Sequence, residues 1–167
     1  MHVDDIKAWA RRAHIDTAFR EELFAAMQGD NREHAVHAAW ALTHLPKDDA
    51  PHIDVHREAL TRLATSTADT SLRRLSLALL ERIDWRLAKD IDPPDCYMQL
   101  LDFSFLHMTL GDEPYGVRSL CMKLAYKLSC PYPELLGELR QCLLLIEPSE
   151  LGAGVRCTRN KVLNAIH

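Results

Sequence analysis

The chain has 167 residues, 47% hydrophobic and 26% charged, the makeup of one soluble globular domain, 1–167, able to bury a sizeable core. Its net charge of −4 argues against a dedicated nucleic-acid binder, which carries a basic excess. No apolar run approaches the roughly 20 residues of a membrane-spanning helix.

The opening MHVDDIKAWARRAH has acids where a secretory leader has a basic flank. Five cysteines without a CxxC pair suit a reducing compartment, so a cytoplasmic location is expected. Apolar periodicity predicts nine helices in chain order. The first spans about 3–13, with Ile6, Ala10 and Ala13 inward and Trp9 beside them. A second, at 16–28, turns Phe19, Leu23, Phe24 and Met27 inward, and Gly29-Asp30 then reads as a helix-ending glycine followed by an N-cap. The third, 31–45, stops at Pro46, and Pro51 opens a fourth at 51–65 with Val55, Ala59, Leu60 and Leu63 inward.

Asp69 or Thr70 caps a fifth helix at 71–86, with Leu72, Leu75, Leu79, Leu80 and Ile83 inward. Trp85 lies just past that stripe and reads as a satellite packing residue. A sixth helix, 94–109, carries Tyr97, Met98, Leu101, Phe105, Leu106 and Met108, and this apolar weight predicts a well-buried element. Helices at 114–128 and 133–146 are joined by a tight proline turn, and a last helix spans 153–166. Prolines fall at or between helix ends and no segment alternates with the period of a strand, so the class is all-α.

Every second helix aligns without gaps: HAVHAAWALTHL (34–45), LRRLSLALLERI (72–83), VRSLCMKLAYKL (117–128) and VRCTRNKVLNAI (155–166), with starts 38, 45 and 38 residues apart. Three columns are apolar throughout: Ala41, Leu79, Leu124, Val162; Leu42, Leu80, Ala125, Leu163; and Leu45, Ile83, Leu128, Ile166. A fourth reads Ala35, Arg73, Arg118, Arg156. Helix pairs recurring at about 40–47 residues are the pattern of HEAT and armadillo arrays, and the chain resembles that family over nearly its whole length. The resemblance implies a right-handed α-α superhelix of about four HEAT-like helix pairs with an N-terminal capping helix. The arginine column, preceded six residues earlier by Asp112 and Glu150 in the last two repeats, looks like the Asp/Arg ladder by which HEAT families tie turns to neighbouring helices. HAAWALTHL, DTSLRRLSLALLERI, YPELLGEL and AGVRCTRNKVLNAI are similar to segments of short bacterial HEAT-like proteins, some of which carry the label adenylosuccinate lyase. Nothing here resembles that lyase, whose SSxMPxKxNP-like catalytic loop has no counterpart in this chain.

Candidate chemistry is sparse. His34/His37 and His52/His56 are spaced to share a helical face, yet zinc takes three or four ligands and no HExxH or cysteine pair completes a set. Acids such as Asp4-Asp5, Glu21-Glu22 and Asp48-Asp49 fall at helix starts or in loops, where capping and solvation account for them. Asp102, on the most apolar helix, reads as an outward residue without a catalytic partner. Gly152-Ala153-Gly154 reads as a helix-start turn, because no strand precedes it. No cofactor, metal or catalytic residue is assigned.

Cations on the second helices of the repeats form a basic strip in which Arg74, Arg118, Lys123, Arg156, Arg159 and Lys161 are the partner-binding candidates. Trp40 joins them as an exposed hot-spot residue, with packing near Trp9 or Phe24 as its other reading. The expected function is a non-enzymatic scaffold that presents its curved surface to a protein, as a monomer or weak homodimer. A nucleic-acid-binding or processing role for the strip, of the kind HEAT-like alkylpurine DNA glycosylases perform on a basic concave face, is the alternative.

Overall fold

The computed structural model describes residues 2–87 and 91–166. Among them the chain is all α-helical, with ten α-helices and two short 3-10 turns. Two compact units divide it, Met1–Asp84 and Trp85–His167.

The first unit contains α1 (Val3–Ile15), α2 (Thr17–Met27), α3 (Arg32–Thr43), α4 (Ala50–Asp54), α5 (Arg57–Ser66) and α6 (Thr70–Glu81). Side-chain acceptors set the starts of three of these. Asp16 accepts from the Phe19 amide at 3.0 Å, Asn31 from His34 at 3.0 Å, and Asp69 from Ser71 and Leu72 at 2.9 Å each. The cap of α3 is therefore Asn31, one residue beyond the Asp30 expected from sequence. α1 packs on α2 and α3, α2 on α3, and α5 on α6, while the two second helices α3 and α6 pack side by side. Fully buried Ile6, Leu42, Ile53, Leu77, Leu79 and Leu80 fill the space between them.

The helix expected at 51–65 is broken in two at Val55 and His56. The cause is what His56 does: its ring stacks on Phe24 with centroids 3.8 Å apart, and Nε2 pairs with Glu21 at 3.0 Å. Seating Ile53 and His56 against the core turns Val55 away, and it is 80% exposed rather than inward. An Asp54–Arg57 ion pair spans the break.

The second unit contains α7 (Asp95–Thr109), α8 (Tyr115–Ser129), α9 (Pro133–Leu145) and α10 (Ala153–Ala165). α7 and α9 each pack on α8, and α8 packs on α10. Tyr97 is fully buried and its hydroxyl donates to the Leu128 carbonyl at 2.5 Å; burial pushes its pKa up to about 12. Trp85 is buried edge-on against Tyr97, as a satellite packing residue should be. α7 is buried less completely than its composition suggested, because Met98 and Leu106 face outward with Asp102.

The columns aligned from sequence are the core columns. Ala41, Leu79, Leu124 and Val162 are all buried, as are Leu45, Ile83, Leu128 and Ile166. In the remaining column Leu42, Leu80 and Ala125 are buried and Leu163 is half-buried.

Candidate interaction surface

A helix leaves its last carbonyls without intrahelical donors, and these form the negative end of its dipole. Here arginines supply the missing donors. Arg20, the fourth residue of α2, donates to the Ala13 carbonyl near the end of α1 at 3.0 Å. Arg73, at the same place in α6, reaches Ala64 at 3.2 Å and Thr67 at 2.6 Å, at the end of α5. Arg118, the fourth residue of α8, donates from Nε to Met108 of α7 at 3.1 Å. Arg82 closes the end of α3 from the side, donating to Leu45 at 2.8 Å and Pro46 at 2.6 Å, with Leu42 and Thr43 at 3.4 and 3.3 Å. Burial pushes the Arg82 guanidinium below its usual pKa, against the opposing pull of Asp49 and Glu81.

The last repeat changes the register. Arg156 holds the aligned position but is exposed, and Arg159, one turn further along, donates from Nε to Leu143 of α9 at 2.7 Å. So Arg73 and Arg118 of the column tie helix ends, but to backbone carbonyls and not as the expected Asp/Arg ladder: among the described residues neither Asp112 nor Glu150 pairs with an arginine, and Arg159 takes the place of Arg156. Arg20 was missed although the signal was present: DTAFR (16–20) repeats the cap-to-arginine spacing of DTSLR (69–73). Arg82 carried no comparable signal, since its target lies 36–40 residues upstream.

This splits the expected partner-binding set. Arg118 and Arg159 are 4% and 8% exposed and are occupied at helix ends, so they leave the basic strip. Arg74 in the first unit, and Lys123, Arg156 and Lys161 in the second, are exposed. Lys123 and Lys161 are each the ninth residue of their helix, α8 and α10, which pack together. Trp40 is half-buried, and the ring it meets is that of His44, at 6.2 Å, in place of Trp9 or Phe24. Trp9 instead lies edge-on to Phe19 and His34.

The histidines are spread over separate contacts. His34 lies against Trp9, His56 against Phe24, and His107 stacks on Phe103 at 3.7 Å while meeting Glu113 at 2.6 Å. Among the described residues no three His, Cys, Asp or Glu side chains are placed to share a metal ion. No helix among them is long and apolar enough to cross a membrane. What the surface does offer, besides cations, is uncovered apolar area: Met98 and Leu106 on α7, and Leu144 and Leu145 on α9, the last 84% exposed.

Comparison with known proteins gives one positive finding. The family model described as HEAT repeat domain matches residues 1–166. No curated protein and no solved structure gives a significant match.

Proposed function

We propose, from the premise that the chain belongs to the HEAT repeat family, that it is a non-enzymatic scaffold of the cytoplasm, a single repeat domain that binds another protein on its helical surface. The observation that carries this reading is the exposure of large apolar side chains on helices whose other faces already fill a core. Met98, Leu106, Leu144 and Leu145 are uncovered while Leu100, Leu101, Leu139 and Leu143 on the same helices are buried. Apolar surface of that kind gains by being covered. Lys123, Arg156 and Lys161, exposed on α8 and α10, offer polar contacts of their own. The five free thiols suit the reducing cytoplasm.

The nucleic-acid reading loses Arg118 and Arg159, since both guanidinium groups already serve backbone carbonyls. Affinity for a phosphate backbone rests on the number of free cations, so this weakens it.

A tagged pull-down from native lysate tests the proposal, comparing wild type with a Lys123→Glu/Arg156→Glu/Lys161→Glu variant, with and without nuclease. A protein retained by wild type after nuclease, and lost by the variant, supports the scaffold. Capture abolished by nuclease would move the function to nucleic acid. No capture by wild type would overturn both.

A further inference from the structure

In the first unit, α1 and the end of α3 enclose an open cleft of about 510 Å³. That volume falls within the roughly 300–1,000 Å³ of clefts that hold ligands. Its apolar lining comes from Ala10, Ile15 and Pro46, and its polar lining from Lys7, Arg11, His14 and His44. Lys7, Arg11 and His14 are spaced four and three apart, so α1 presents them along one face.

The charge of this cleft is positive where a ligand would meet it. Lys7 and Arg11 are exposed and make no ion pair among the described residues. Two features that would repel an anion are already compensated. The carbonyl end of α3, with Leu45 and Pro46, receives the Arg82 guanidinium. The buried Asp49 carboxylate lies 2.8 Å from His14 Nδ1 and close to Arg82. His44 is held in turn by its Nδ1 donating to the Trp40 carbonyl at 3.0 Å.

Size and shape select the class of occupant. Lys7 to Ile15 spans about 12 Å of helix at ~1.5 Å per residue, which matches three to four residues of extended peptide at about 3.3 Å each. Ile15 is 82% exposed at one end of the cleft, an apolar contact that a small inorganic anion would leave unused.

We infer that this cleft docks a short acidic segment of a partner protein, with an aliphatic side chain seated on Ala10, Ile15 and Pro46 and flanking carboxylates on Lys7 and Arg11. The inference rests on the scaffold reading and adds to the second unit's surface a separate docking site in the first unit, with the chemistry of its occupant.

The test is selection from a random-peptide display library on the full chain. Affinities of the enriched peptides are then measured for wild type, Lys7→Glu/Arg11→Glu and Ile15→Ser, with circular dichroism confirming that each variant is folded. The enriched peptides are expected to carry Asp or Glu beside Leu, Ile, Val or Met. Their affinity should fall about tenfold or more in the charge-reversed variant, and less steeply in Ile15→Ser. It should also weaken as salt rises from about 50 to about 500 mM. Enriched peptides lacking acids, equal binding by the charge-reversed variant, or no enrichment would each overturn the inference. The lysate capture keeps the two readings apart. A partner lost on Lys123→Glu/Arg156→Glu/Lys161→Glu but held by Lys7→Glu/Arg11→Glu, together with peptides that bind the charge-reversed variant equally, removes the cleft and leaves the scaffold, whereas no partner at all removes the scaffold.

Discussion

At the scale of single residues, the guanidinium groups at helix ends do two jobs at once. Each satisfies a carbonyl that its own helix cannot, and each places positive charge at the negative end of a dipole. Removing such a group leaves a buried acceptor without its donor, while removing an exposed neighbour changes little. Arg159→Ala is therefore expected to cost about 1.5–3 kcal/mol, the range for a hydrogen bond to a charged group. Arg156→Ala should stay within about 0.5 kcal/mol of wild type. Urea unfolding of the pair decides the point, and equal costs would mean that Arg159 does not carry the tie in the last repeat.

Asp69 is a second residue with a separable role. Its cap hydrogen bond from the Leu72 amide, and then the neighbouring Arg32 guanidinium, hold its carboxyl below the ordinary carboxylate value against the opposing effect of partial burial. A carboxyl whose folded pKa is depressed stabilises the fold above its unfolded value of about 3.8, and that contribution is lost as pH falls through the folded value. Asp69→Asn keeps a capping oxygen but removes the charge. It should lose less stability than wild type between about pH 5 and pH 2 in unfolding titrations. Asp69→Ala should cost about 0.5–2 kcal/mol near neutral pH.

At the scale of elements, stability comes from apolar faces that single helices cannot cover alone. Leu80→Ala in α6 and Leu124→Ala in α8 each open a cavity at a site with no exposure, and each is expected to cost about 2–5 kcal/mol by chemical denaturation. The broken helix gives a sharper contrast. Ile53→Ala should fall in the same range of about 2–5 kcal/mol, while Val55→Ala should be close to neutral, within about 0.5 kcal/mol.

That contrast also marks what sequence could tell. Columns such as Ala41, Leu79, Leu124 and Val162 were legible because burial selects apolar residues at a fixed helical period, and such a signal adds up over a chain. Val55 was misplaced because valine looks apolar wherever it points. The break that turns it outward depends on His56 meeting Phe24 and Glu21, which lie 32 and 35 residues away. The candidate strip was half legible for a related reason. An arginine reads as a surface charge from sequence, and only the position of a carbonyl from another helix distinguishes Arg118 and Arg159 from Arg74 and Arg156.

At the scale of the whole molecule, the cysteines are unevenly placed. Cys96, Cys121, Cys130, Cys142 and Cys157 all lie in the second unit, so thiol chemistry reports on that unit alone. Cys130 and Cys157 are exposed, Cys96 and Cys121 are buried, and burial together with Glu138 pushes the half-buried Cys142 thiol above its usual pKa. Timed alkylation read by mass spectrometry should label Cys130 and Cys157 first, Cys142 later, and Cys121 only as the unit unfolds. Early labelling of Cys121 would mean that α8 is not the centre of that core.

The arginine ties bear on how such a chain can change over generations. Their receiving half is main chain, which every residue type provides, so the helix that is held contributes no side chain that must be preserved. A donor can shift by a turn, as between Arg118 and Arg159, and still find an acceptor in the helix before it. Successive repeats can therefore drift apart in sequence, and even differ in length, without loosening the joint between them.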